Sequence, residues 1–302
     1  MSWLLIALVG PVLWAISTHI DKYLVDRYFH EHDVAVLLVF TALIGLVLLP
    51  FIAVYAPVFT ALGPGSILVV ALTGVLYMVA MYFYLRALQS NEASVVAPFY
   101  QATPIFAYGL GYAVLGEVLS TTQLVGGVLI VAGAALASFG FGSKSKLNVR
   151  LVVLMLACAL SLAISSVVFK LFAIRDDFWP TTFWTYVGEA VFGIAILAIP
   201  SERRLFLTLV RTNPGPVLAI NGANELINLG GGLIARFALL LAPLGLVQAV
   251  SSTTTIFVFL FGILLTFFAP KIAQEDLSAR ALIQKGIAVT LVALGVMRIG
   301  SA

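Results

Sequence analysis

"AINGANELINLGGGLIAR", residues 219–236, sits inside an apolar run from about 216 to 241. That run is long enough to cross a bilayer, which takes about 20 apolar residues as a helix. Yet Asn221, Asn224, Glu225 and Asn228 all fall between positions 221 and 228. An ionisable side chain at the centre of a membrane helix costs about 2.5–3.5 kcal/mol on insertion scales, and it persists by facing a partner or a wet cavity. A helix turns about 100° per residue, so Asn221, Asn224, Glu225, Asn228 and Gly232 share one arc of about 100°. Arg236 extends the stripe toward the helix end, and Leu226, Ile227, Leu233 and Ile234 cover the other side. The amides can serve as glue between helices, each worth under about 2 kcal/mol. Three asparagines, an acid and a small glycine on one arc point instead to a water-filled cavity.

The rest of the chain agrees with a membrane setting. Of 302 residues, 62% are hydrophobic and 10% charged, with a mean hydropathy of +1.13. Soluble chains are nearer about 25% charged, so the fold class is an all-α polytopic membrane protein. The bases are scattered with no patch or recognition motif, which excludes a nucleic-acid partner. Cys158 is alone, which rules out a disulfide within the chain and a cysteine-based metal cluster. The start, "MSWLLIALVG", lacks a basic region and a small-residue cleavage site and reads as a retained first helix. Ten apolar segments follow at about 2–24, 34–55, 66–89, 93–115, 121–141, 150–173, 179–199, 216–241, 244–268 and 281–299. Breakers such as "GPGS" at 63–66 and "NPGP" at 213–216 separate them.

The chain also repeats itself. "AISTHIDK" at 15–22 returns as "AISSVVFK" at 163–170, and "EVLS" at 117–120 returns as "EDLS" at 275–278. Shared order along two halves implies a duplication: residues 1–141, a linker at 142–149, and residues 150–302. An odd number of spans per copy makes the halves inverted. Lys and Arg collect in cytoplasmic loops, and twelve of the sixteen bases fall on one face under this topology. Lys170 and Arg175 dissent. Both termini are then expected outside the cytoplasm, in a multi-pass protein of the cell (inner) membrane.

Other spans contribute polar residues. Span four has Pro98, Gln101 and Pro104, prolines that free backbone groups lipid cannot satisfy. Span nine has the hydroxyl run from Gln248 to Thr255, including Ser251 and Ser252, which bends helices by back-bonding. Irregular helices at matching places in two repeats point to a transport site; a proline kink and a packing seam are the plainer reading. Tyr77 is a pocket candidate in span three, whereas Tyr82 and Tyr84 suit an interfacial belt. Span one offers Trp14, Ser17, Thr18, His19, Asp21 and Lys22, and span six offers Ser165, Ser166 and Lys170. The two lysines lie near helix ends and read as snorkelling. Glu189 in span seven either pairs with a base or titrates, and His19 serves as a proton relay or as a neutral hydrogen-bonding group. His30 and His32 look like a solvated loop. No P-loop, HExxH or Ser-His-Asp arrangement occurs, so neither an enzyme nor a cofactor or metal is expected.

"SVVAPFYQATPIFAYGLGYAVLGEVLSTTQLVGGVLIVAGAAL", residues 94–136, resembles the second half of the EamA repeat of the drug/metabolite transporter superfamily. The resemblance rests on Ala97-Pro98, on Thr103-Pro104, on Gly116-Glu117 and on the glycine-rich fifth span. The second repeat departs: span nine lacks the prolines, and the Gly-Glu element has become "AQED". The resemblance implies a secondary transporter of small metabolites, amino acids, nucleotide sugars or drugs, often an exporter. It also implies a cavity lined by spans 1, 3, 4, 6, 8 and 9. Short multidrug relatives use a first-span glutamate for proton coupling; span one here has no acid before Asp21, so that role is not carried over.

The expected function is alternating-access transport of a small polar or zwitterionic metabolite, with export and proton coupling both admitted. Expected substrate-binding residues are Asn221, Asn224, Glu225, Asn228, Gln101, Gln248, Ser251, Ser252, Tyr77, Trp14, Thr18 and Ser165. Proton-carrying candidates are Glu225, Glu189 and His19. For Glu225, substrate ligand, proton carrier and ion-pair partner of Arg236 all stay open. Partners are a small-molecule substrate and the bilayer. The competing readings are a structural or sensor subunit, whose stripe would be dry and packed, and an intramembrane lipid-modifying enzyme.

Overall fold

Helices dominate this computed structural model, which describes residues 2–24, 34–90, 97–138, 149–212, 214–268 and 278–301, and no strand occurs among them. His30, His32, the linker over 142–148, the "AQED" loop and the side chains of Lys22 and Pro98 lie outside the described residues. In lipid a chain must satisfy its backbone within its own segment, which leaves the helix as the structure for runs this apolar. The helices are α1 (Ser2–Leu24), α2 (Ala35–Tyr55), α3 (Pro64–Ser90), α4 (Ala102–Leu115), α5 (Thr121–Ser138) and α6 (Val149–Asp176). They continue with α7 (Phe178–Ala198), α8 (Pro200–Thr212), α9 (Asn221–Leu241), α10 (Leu244–Ser251), α11 (Thr254–Phe268) and α12 (Ala279–Gly300).

Among the described residues eight spans are long and apolar enough to cross a membrane: α1, α2, α3, α6, α7, α9, α12, and α10 with α11 as one unit. The other two expected segments are helical but shorter. The fourth begins as a 3-10 turn at Ala97–Gln101 and leaves α4 with 14 residues, and α5 has 18. The α8 helix lies where the sequence suggested only a basic loop. Its Glu202 stands in the first turn and Arg211 in the last, which complements the helix dipole. Its buried Leu209 packs with Leu24, Val36 and Phe40.

Small residues set the helix contacts, as expected where lipid removes the hydrophobic drive between helices. α5 crosses α12 where Gly126 and Gly295 face each other; a Cβ on Gly126 would stand 2.9 Å from the Gly295 carbonyl. α3 crosses α7 at Gly74 and Gly188, where a Cβ on either would collide with the opposing backbone. α1 meets α9 at Gly10 and Gly231, α2 lies on α7, and α6 touches α3, α4, α7, α9 and α10.

Spans four and nine both break, at the places the prolines and hydroxyl run predict. Ser252 and Thr253 separate α10 from α11. There Ser251 donates to the Val247 carbonyl at 3.0 Å, Ser252 to Gln248 at 3.4 Å and Thr254 to Ser251 at 2.7 Å. These bonds satisfy carbonyls near the break.

The crossings make a sharp prediction. Gly188→Ala is expected to cost about 1–3 kcal/mol by overpacking against Ala71. Gly232→Ala, where a Cβ meets nothing within 4 Å, is expected to leave stability unchanged or raise it by up to about 1 kcal/mol. Unfolding of both purified variants in detergent checks this; equal effects would contradict the crossing.

Candidate functional site

A π-helical turn, Pro214–Ile220, feeds α9 and aims its first residues at α1 and α2. Asn221, Asn224 and Glu225 are buried, at 1%, 0% and 6% exposure. The Asn224 Nδ2 donates to Asp21 Oδ1 at 2.6 Å, across from α1. Asp21 is itself solvent-exposed, with Ser17 Oγ a weak donor at 3.5 Å. Glu225 Oε1 accepts from Thr41 of α2 at 3.0 Å. Farther along the arc Asn228 is half-buried, and Gly232 faces open space. The stripe is thus packed at its start and open beyond it.

A second group surrounds Arg236. Its Nη2 binds Glu189 Oε1 at 2.6 Å, with Glu189 2% exposed. The guanidinium carbon stands 4.6 Å from the Tyr186 ring centroid, 5.7 Å from Phe169 and 5.9 Å from Tyr77. The pairing of Glu225 with Arg236 on its own helix does not form. The reason is geometric: eleven residues of α-helix separate them by about 16 Å, and Glu189 meets Arg236 from the neighbouring α7.

A third group corrects the reading of Lys170. Instead of snorkelling, it is 4% exposed. Its Nζ lies 2.5 Å from Glu117 Oε1 and donates to the Ala242 carbonyl at 2.6 Å. The Leu244 amide donates to the second Glu117 oxygen at 2.7 Å. Gly116, at φ 67°, ends α4 in the left-handed region that glycine favours, and lets Glu117 turn back. Gly111 leaves the room: a Cβ there would stand 2.8 Å from Glu117 Oε2. The Gly-Glu pair therefore ties α4 to α6 and to the α9–α10 turn.

The remaining candidates spread between these groups. His19 Nε2 bonds the Val258 carbonyl at 2.9 Å, and since a carbonyl only accepts, that nitrogen carries the proton. Ser165 donates to the Thr73 carbonyl at 3.1 Å, and Gln248 to Ser166 at 2.9 Å. Thr18 back-bonds the Trp14 carbonyl, and the Trp14 indole lies against Gly231. Gln101 is buried with its Oε1 unpartnered. Sequence reasoning missed Thr41, Tyr186 and Phe169. A single hydroxyl or aromatic in an apolar run carries no signal without its partner. Among the described residues no group of His, Cys, Asp and Glu could hold a metal.

The model of the EamA-like transporter family matches residues 1–139. The resemblance read from residues 94–136 is borne out there. No curated protein matches the sequence. One solved crystal structure superposes over 99% of this chain and 98% of its own, with a TM-score of 0.69 at 15% identity. That likeness is one of fold.

Removing one partner of a buried ion pair costs about 3–5 kcal/mol, because the other charge is left buried. Lys170→Met is expected to lose stability on that scale, and Lys170→Met/Glu117→Gln to lose clearly less than the two single variants combined. Denaturation of the four proteins in detergent measures the coupling. Strict additivity would mean the pair is not formed.

Proposed function

We propose that this chain, a multi-pass membrane protein whose first half matches the EamA-like transporter family, is a secondary transporter of a small polar or zwitterionic metabolite. The observation that carries the reading is the α9 stripe. It places amides and a carboxylate inside a membrane span, bonds them to α1 and α2, and continues past Asn228 to open space at Gly232. A stripe serving only as helix glue would be closed along its length.

Packing supports two inverted repeats, 1–141 and 150–302. Exchange each span for its counterpart in the other half. The contact of α1 with α9 becomes that of α6 with α3, and the contact of α4 with α6 becomes that of α10 and α11 with α1. The pairs α2–α7 and α5–α12 map onto themselves. Rocking of such halves about a central site is the usual route to alternating access. In this reading the Lys170–Glu117 pair closes the end of the bundle where α9 stops, and Asp21 meets solvent near the end where α9 begins. The exposed Arg203, Arg204 and Arg211 of α8 belong to that second end and mark it as cytoplasmic. Both termini then lie outside, in the inner membrane of the cell. Glu225 and Asn228 contact the cargo, and export and proton coupling fit the same frame.

Flux in proteoliposomes tests this. Glu225→Gln is expected to lower transport by about tenfold or more, the equivalent of one charged hydrogen bond of about 1.5 kcal/mol. Cysteines at positions 117 and 170, joined by a short bifunctional thiol reagent, are expected to stop flux, and a cleavable reagent to restore it on reduction. Full flux in the cross-linked protein would refute the closure. Unaltered transport across pH in Glu225→Gln would remove that residue from the mechanism.

A further inference from the structure

The buried bases of the bundle are already matched: Arg236 with Glu189, and Lys170 with Glu117. Asp21 and Glu225 are not. Among the described residues neither has an ion-pair partner, and their bonds come from neutral groups, Asn224 and Ser17 for Asp21 and Thr41 and Asn228 for Glu225. Glu225 follows Asn224 in sequence, and Asn224 binds Asp21 across the α1–α9 contact. Between them stands Asn224, which is wholly buried and binds Asp21 through its nitrogen, and whose Oδ1 accepts no hydrogen bond. Two carboxyl-bearing residues and a free amide oxygen thus neighbour one another, with no cation among the described residues paired to them.

We infer that Asp21, Glu225 and the Asn224 carbonyl oxygen form a subsite for the ammonium group of the transported molecule. The inference rests on the transport reading and names the chemistry of its cargo. An ammonium brings three donors and one positive charge, which matches three acceptors that lack a cation. Asn221, one turn earlier, is buried with its Nδ2 unpartnered, so a donor also waits for an acceptor. Side chains three apart on a helix stand about 5–6 Å from each other. That pairing suits a small organic molecule carrying an ammonium beside a hydroxyl or carboxyl better than a bare metal ion. Exposure of Asp21 gives the approach, and the half-buried Asn228 and open Gly232 leave room for the rest of the molecule.

The test is a thermal-shift titration of the full-length protein in detergent. The probes are ethanolamine, glycine, glycine methyl ester, N-acetylglycine and sodium chloride. Only a ligand that prefers the folded state raises Tm. Ethanolamine, glycine and its ester, which keep the ammonium, are expected to raise Tm with concentration, and N-acetylglycine is not. In Asp21→Asn/Glu225→Gln the same probes are expected to bind about tenfold more weakly or worse. Should that variant not purify, Asp21→Asn alone carries the test, since Asp21 is an exposed residue near the end of α1. Asn228→Lys would place an internal ammonium beside the site and is expected to abolish the ligand-induced shift. An equal shift from N-acetylglycine, a shift unchanged in the acid variants, a shift from sodium alone, or no shift from any probe would each overturn the assignment. Vesicle flux separates the two readings. Ammonium binding without flux would remove the transport reading and keep the subsite. Flux of an ammonium-free solute, untouched in Asp21→Asn/Glu225→Gln, would do the reverse.

Discussion

Hydrocarbon offers no hydrogen-bond partner, so each polar group placed in it must be satisfied from within the protein. Glu117 shows how far the architecture depends on that constraint. One carboxylate binds the Lys170 ammonium and the Leu244 amide, while Lys170 binds the Ala242 carbonyl. Those two backbone groups are the ones freed where α9 stops and α10 begins. The ion pair therefore caps two helix ends at once and joins α4, α6, α9 and α10. The glycines at 111 and 116 exist in that corner because the carboxylate has to fold back into it.

The same constraint separates closed polar groups from unfinished ones. Arg236 has a carboxylate on one side and aromatic faces on three others. His19 and Ser165 each end on a backbone carbonyl of another helix. Such groups hold helices in register, and of them only Arg236 keeps an unpartnered atom, its Nη1. Asn221 and Asn224 differ, since each is buried with one amide atom unpartnered. A buried unsatisfied amide is destabilising by about 1–3 kcal/mol. These two lie one turn apart at the start of α9, where a single further molecule can complete both.

Much of this was legible in the chain. Helical period gathered the α9 residues onto one arc, and prolines and hydroxyls marked the breaks in spans four and nine. The motif around residues 97–117 carried the resemblance to a transporter family. What stayed hidden was partnership. Asn224 and Asp21 are separated by most of the chain, and no spacing rule connects them. Lys170 looked like a snorkelling residue because helix-end lysines usually are; its burial follows from Glu117, which reaches it from another helix. Glu189 had two readings, pairing or titration, and only the approach of α9 to α7 brings it a base. The α8 helix was missed because its charges read as loop, although an amphipathic helix with one buried face has the same composition.

The bonding along α9 also says where movement is cheapest. Its far end is held by the Lys170–Glu117 pair and by Arg236, both ionic and buried. Its near end is held by bonds from neutral donors to Asp21 and Glu225, with Asp21 exposed. Water can replace such bonds at little net cost, whereas a buried ion pair cannot part without stranding charge. Midway, α9 rests on α1 through Gly10 and Gly231, a close approach of backbones with the Trp14 indole packed beside it. A helix fixed firmly at one end and loosely at the other tilts most readily about its fixed end. On the proposed transport reading, such a tilt opens the acidic end while the ionic end stays shut. Reversal requires the ion pair to part, and the energy for that has to come from elsewhere in the cycle. On the proposed reading, a cargo that supplies its own positive charge to Asp21 and Glu225 is one source, provided it binds the tilted and untilted arrangements unequally.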